Sequence, residues 1–114
     1  MADCLFCQIV ARRIPTEIVA EADGLLAFKD VNPQAPTHIL IIPTEHIPTL
    51  VDATQAHTTL MGNALHLANR LARSYQLTSS GFRVVINCGP EAGQSVWHLH
   101  LHLLGGRPLR WPPG

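Results

Sequence analysis

The sequence lacks an excess of charge of either sign: eight lysines and arginines face eight aspartates and glutamates, for a formal net charge of zero at neutral pH. A protein that grips a nucleic acid needs a basic footprint, so nucleic acid is not an expected partner. Long hydrophobic runs are missing too. Ile39-Leu40-Ile41-Ile42 and Val84-Val85-Ile86 fall far short of the roughly 20 apolar residues that span a bilayer, so no membrane partner is expected. Met1-Ala2-Asp3-Cys4 has no basic segment leading into an apolar stretch, which argues against a secretory signal and makes the cytoplasm the expected location. Cysteine is scarce: three in 114 residues, an odd number without an export signal, argue against a disulfide framework and for reduced thiols or metal ligands.

What is present suffices for one core. With 46% hydrophobic residues, residues 1–114 read as a single domain. Leu5, Phe6, Ile9 and Val10 share one face of a short helix within Cys4 to Arg13, ended by Pro15. The apolar segments Ile18-Val19-Ala20 and Leu25-Leu26-Ala27-Phe28 flank Asp23-Gly24, a hairpin signal. Asn32-Pro33-Gln34-Ala35-Pro36 forbids continued pairing, because neither proline donates to a ladder, and it leads into a strand from His38 to Ile42.

Between Ala53 and Gln76, Ala56, Leu60, Ala64, Leu67, Ala68, Leu71 and Tyr75 recur at three and four, the pattern of one long amphipathic helix. Phe82 to Asn87 reads as a strand, Gly89 to Gly93 as a loop, Trp97 to Leu104 as a strand, and the tail from Gly105 as irregular. The order specifies an α+β domain with antiparallel pairing. His57 and His66 on the long helix carry no expected function.

The chemistry concentrates in His98, His100 and His102, which alternate with Leu99, Leu101 and Leu103. A strand throws the imidazoles to one face and the leucines to the other, with neighbouring imidazole stems roughly 6.6 Å apart. Such a row can hold zinc and leave a position open for water, the design of a zinc-dependent hydrolase. It can also supply a nucleophile. Gly93-Gln94-Ser95-Val96, just upstream, is a glycine-bearing turn of the kind that forms anion-binding concavities. With a phosphate there and no carboxylate in the row, a nucleophilic imidazole is the better account. An imidazole with a pKa of about 6.5 is largely neutral at physiological pH and able to attack phosphorus. A covalent phosphoramidate then divides one hard displacement into two easier ones, while a neighbouring histidine steadies charge or protonates the leaving group. Separately, Cys4-Leu5-Phe6-Cys7 has the two-residue spacing that lets both thiolates reach one ion.

Gln94-Ser95-Val96-Trp97-His98-Leu99-His100-Leu101-His102-Leu103-Leu104 resembles the signature of the histidine triad, or HIT, family. The likeness extends through Asp30-Val31-Asn32-Pro33-Gln34-Ala35-Pro36-Thr37-His38 and Trp111-Pro112-Pro113-Gly114, stretches similar to the Hint branch of purine nucleoside phosphoramidases. The resemblance implies a five-stranded antiparallel sheet with one long and one short helix, continued across a homodimer. A strand edge near Phe82 to Asn87, or the long helix, would then form the interface. It implies cleavage of the P–N bond of AMP or GMP phosphoramidates through a nucleotidyl-histidine, with no cofactor required for catalysis.

By position, His100 matches the nucleophile, His102 the phosphate-contacting histidine, and His38 and His98 supporting members of the active-site set. Ser95 matches the hydroxyl near the leaving group, Gly93 and Gln94 line the phosphate turn, and Asn87 matches a nucleotide-binding amide. Asp30 matches the carboxylate that accepts from ribose hydroxyls; Val31, Phe28, Leu5, Phe6, Ile9 and Leu40 would wall the base. Some members of the wider superfamily bind a structural zinc at positions matching Cys4, Cys7, His46 and His98. In the Hint branch the C-terminus, here with Trp111, reaches towards the partner's site. Dinucleoside polyphosphate hydrolysis and a nucleotide-binding interaction module with residual catalysis stand as alternatives.

Overall fold

A computed structural model describes residues 3–114; Met1 and Ala2, part of the N-terminal segment considered above, lie outside the described residues. Helix α1 spans Leu5–Val10, with Cys4 at its N-cap accepting from the Cys7 backbone N–H. It is shorter than the sequence pattern suggests, because the chain leaves the helical region at Arg12, where φ is +61°. Strands β1 (Ile18–Ala22) and β2 (Leu25–Lys29) form the expected hairpin. Asp23 and Gly24 at its turn both have positive φ, the conformation that makes Asp-Gly a hairpin dipeptide.

Strand β3 (Thr37–Pro43) follows, then helix α2 (Thr58–Ser74), β4 (Phe82–Ile86) and β5 (Leu101–Gly105). The long helix begins at Thr58 rather than Ala53. Residues 50–52 and 55–57 are separate 3₁₀ turns, where Asp52 and Thr54 bond nearby backbone N–H groups and hold the chain out of the helix. The five strands make one antiparallel sheet in the order β1-β2-β3-β5-β4. No helix among the described residues is long and apolar enough to cross a membrane.

Period-two alternation divides the side chains between two layers. Leu25, Ala27, Ile39, Ile41, Leu101 and Leu103 pack with Ala64, Leu67, Ala68 and Leu71 of α2, while Leu26, Phe28, Leu40 and Ile42 pack with Phe6 and Ile9 of α1. The short helix therefore covers the face onto which His102 projects.

The histidine row departs from expectation in one respect: the strand starts at Leu101, not Trp97, so only His102 lies in the ladder. Pro43, at the facing end of β3, has no N–H to donate, and its carbonyl is bonded by the His98 ring instead. The Leu99 N–H turns to the carbonyl of Ile47. Leu99, Leu101 and Leu103 are nevertheless all buried, so the two-faced alternation survives beyond the ladder.

At the end of β5 the chain turns at Gly106, where φ is +94° and an added Cβ would lie 2.9 Å from Cβ of Pro36. A side chain there would press on the loop leading to His38. Gly106→Ala combines an unfavourable φ with a clash against a rigid ring, and is expected to lower stability by about 2 kcal/mol or more. A urea denaturation midpoint equal to wild type would show that the turn relaxes freely.

Candidate active site

His100 is 6% exposed and packs edge-on against Phe6, ring centroids 5.1 Å apart. Its Nδ1 lies 2.7 Å from the backbone carbonyl oxygen of His98. A carbonyl only accepts, so Nδ1 donates and Nε2 is left with the lone pair. Burial pushes the His100 pKa below the ordinary imidazole value, opposed by the bond to the His98 carbonyl and by the Asp30 charge. The ring is therefore a neutral base at neutral pH.

His102, its ring centroid 4.9 Å from that of His100, has the opposite tautomer for an equally definite reason. The Gln34 backbone N–H donates to Nδ1 of His38 at 3.0 Å, which places the His38 proton on Nε2. That Nε2 is 2.9 Å from Nδ1 of His102 and 3.5 Å from Oδ2 of Asp30. His38 thus donates to His102, whose own proton sits on Nε2. This Nε2 is buried and has no hydrogen-bond partner among the described residues, a donor awaiting an acceptor. Burial, reinforced by His100 and His38, lowers the His102 pKa to about 4, so the ring is neutral. His38 is lowered as well, by burial.

Both rings face a cavity of about 340 Å³ whose wall includes Leu5, Phe6, Ile9, Phe28, Leu40, Val31, Asp30, Ser95, His100 and His102. Each residue expected to wall a base is present, Val31 at the rim with 92% exposure. Ile14, Pro15, Thr16 and Val96 also line it, and the sequence reading missed them. The first three lie in the irregular stretch before β1, where periodicity carries no signal. Asp30 has two roles: Oδ1 accepts the Asn32 N–H at 2.8 Å in a local turn, while the carboxylate also borders the cavity.

The other expected site residues are placed differently. Gln94, 6% exposed, accepts the Gly89 N–H and gives its amide protons to the carbonyls of Pro48 and Val96. Its side chain is therefore committed to holding the loop and is not free to meet a phosphate. Gly93, at φ +85°, supplies the left-handed turn beside it. Neither Gly93 nor Asn87 is among the residues lining the cavity, and His38 acts from behind His102. His98, expected in both the catalytic and metal sets, is fully buried, with Nε2 donating to the Pro43 carbonyl at 2.8 Å. It reaches the site through its backbone oxygen alone.

The remaining His98 nitrogen, Nδ1, presents its lone pair to Sγ of Cys4 at 3.4 Å and of Cys7 at 3.6 Å, while Nδ1 of His46 lies 3.3 Å from Sγ of Cys7. All four donor atoms fall within 4.8 Å of one another. For zinc bonded at about 2.3 Å to sulfur and about 2.0 Å to nitrogen, a tetrahedron has S···N edges of roughly 3.5 Å, so this donor set fits the ion. Burial and the neighbouring Cys4 push the Cys7 thiol up, a cost that a cation between the sulfurs relieves. Asp30, His38 and His102 are comparably close, but there the imidazoles bond each other directly.

Residues 11–109 match the HIT domain family. An uncharacterised HIT-like protein of Synechococcus elongatus is 53% identical over 98% of this chain and 97% of its own length. A protein of Zea mays named a 14 kDa zinc-binding protein is 47% identical over 96% of this chain and 87% of its length. The crystal structure of a HIT family hydrolase from Legionella pneumophila superposes with a TM-score of 0.96 at 48% identity, covering 98% of this chain and all of that one.

Proposed function

The chain belongs to the HIT domain family and has the fold of a HIT family hydrolase, and from that premise we propose that it is a purine nucleoside phosphoramidase of the Hint type, working through a nucleotidyl-His100. The observation that carries the reading is the pair of opposed tautomers: a lone pair on His100 Nε2 beside an N–H on His102 Nε2, both at the same cavity.

The nucleotide base enters between Phe28, Leu40 and the α1 residues, and Asp30 offers its carboxylate to the ribose hydroxyls. The phosphate takes the buried N–H of His102, which steadies the charge that grows on its oxygens. His100 Nε2 attacks phosphorus with its lone pair, forming an N–P bond as the bond to the leaving nitrogen breaks. That nitrogen takes a proton from the Ser95 hydroxyl, which is reprotonated from water, and departs as the free amine. Water then attacks phosphorus, loses a proton to solvent, and the electrons of the N–P bond return to Nε2. Nucleoside monophosphate is released and His100 is regenerated neutral.

Cys4, Cys7, His46 and His98 are proposed to hold a structural zinc, a reading supported by the donor spacing and by relatives named zinc-binding proteins. Bound there, zinc would keep both thiols as thiolates and tie α1 to the segment carrying His98. A homodimer through the exposed edge of β4 is proposed as well, since that strand has one paired side in the sheet.

The reading is tested by the acid limb of turnover of adenosine phosphoramidate. Protonation removes the nucleophile, and burial holds the His100 pKa down, so activity should persist as pH falls through the ordinary imidazole value of about 6.5. The half-loss of kcat/KM is expected below that value. A half-loss at or above it would mean that the reacting base is exposed and is not His100.

A further inference from the structure

Beyond β5 the chain turns at Gly106 and passes close to Pro36, which brings Arg107 against the loop between β2 and β3. Arg107 is exposed, is not among the residues lining the nucleotide cavity, and has no carboxylate partner among the described residues. Its guanidinium is held by two carbonyls instead: Nε donates to that of Gln34, 73 positions earlier, at 3.0 Å, and Nη1 to that of Pro108 at 2.9 Å. We propose that Arg107 is a positioning residue for the reaction described above, holding Gln34 so that the His102 proton faces the phosphate. The inference rests on the phosphoramidase reading and extends its machinery to a residue that touches no substrate.

The loop has little to hold it. Pro33 and Pro36 have no N–H, and residues 32–36 lie outside the β2–β3 ladder. Gln34 is exposed, and its side chain bonds the Asn32 carbonyl at 3.0 Å, a contact that moves with the loop. Among the described residues, the hydrogen bond that reaches this loop from outside is the one from Arg107, and it is charge-assisted.

The consequence travels to the site through two imidazoles in series. With the Gln34 N–H on Nδ1 of His38, the His38 proton sits on Nε2, faces Nδ1 of His102 at 2.9 Å, and forces the His102 proton to Nε2. When Gln34 turns away, His38 is free to carry its proton on Nδ1 and to present a lone pair to His102. His102 must then answer with a proton on Nδ1, which leaves a lone pair on the Nε2 that meets the phosphate. The charge growing on the phosphate oxygens loses its donor. Oδ2 of Asp30, 3.5 Å from His38 Nε2, favours the original arrangement, so the exchange is partial.

The test compares wild type with Arg107→Ala and Arg107→Lys, substitutions at an exposed position that should leave the fold intact. Proton–nitrogen correlation spectra of the imidazoles, assigned by single histidine substitutions, read which His102 nitrogen is protonated; turnover of adenosine phosphoramidate reads kcat and KM. The wild-type proton should be on Nε2. In Arg107→Ala the His102 nitrogen shifts should move towards those of the Nδ1-protonated form. Its kcat should fall about tenfold while KM changes by less than about twofold, because the lost donor serves charge that grows in the transition state. Arg107→Lys still offers an N–H to the Gln34 carbonyl and should recover both. Unmoved His102 shifts in Arg107→Ala, whatever its kcat, or a loss carried by KM, would overturn the inference and leave the phosphoramidase reading standing. A wild type with the His102 proton on Nε2 and no turnover of the amide would overturn that reading, and the role of Arg107 in turnover with it.

Discussion

Replacing His100 by alanine is expected to lower kcat by at least about a thousandfold while the nucleotide still binds. Losing the nucleophile removes the two-step route altogether, and what remains is the binding and electrostatic contribution of His102, Ser95 and Asp30. The size of the effect follows from how completely the fold prepares this ring. Its Nδ1 is bonded to a backbone carbonyl, its edge meets Phe6, and burial keeps it neutral. No neighbour can replace it: His102 is turned with its proton, not its lone pair, towards the cavity, and His98 has no exposed surface. Product release measured by chromatography, with the thermal transition as a folding control, decides the point. Turnover within tenfold of wild type in a folded His100→Ala variant would assign the chemistry elsewhere.

The double substitution Cys4→Ser, Cys7→Ser is expected to reduce bound zinc from about one per chain to near zero and to lower Tm by on the order of 10 °C. Ligand binding to the folded state alone stabilises by about 4 kcal/mol when the free metal is a thousand times its Kd, and zinc sites with two thiolates reach that regime at ordinary zinc activity. The loss also acts on the site, because His98 supplies the carbonyl that fixes the His100 tautomer. Elemental analysis of wild type purified without chelator is the decisive control. Zinc well below one equivalent, unchanged on adding the metal, would leave two half-buried thiols beside imidazoles and no metal centre.

The long helix and the hairpin were legible because each is a local pattern: the i, i+3, i+4 recurrence of Ala64, Leu67, Ala68 and Leu71, and the positive-φ pair Asp23-Gly24. Faces of the histidine row were legible for the same reason. Its ladder was not, because whether Trp97 to His100 pairs depends on Pro43 and Ile47, more than 50 positions away for Pro43. The tautomers are still less accessible from sequence. They are fixed by the Gln34 N–H and the His98 carbonyl, backbone groups whose direction no residue type encodes. Gln94 shows another limit: its place in the expected phosphate turn was legible, whereas the bracing of the loops by its buried side chain was not. The Cys4–Cys7 spacing was visible, whereas the convergence of His46 and His98 upon it is a tertiary fact.

The most direct test of the central claim is the mass of the protein during turnover. Wild type is mixed with adenosine phosphoramidate, quenched before the first cycle completes, and analysed intact and after digestion. The mechanism requires a transient species heavier by one adenylyl group, carried on the peptide containing His100 and absent from His100→Ala. Full release of AMP in a single turnover with no such species at any time would contradict it, and would point to direct attack by water.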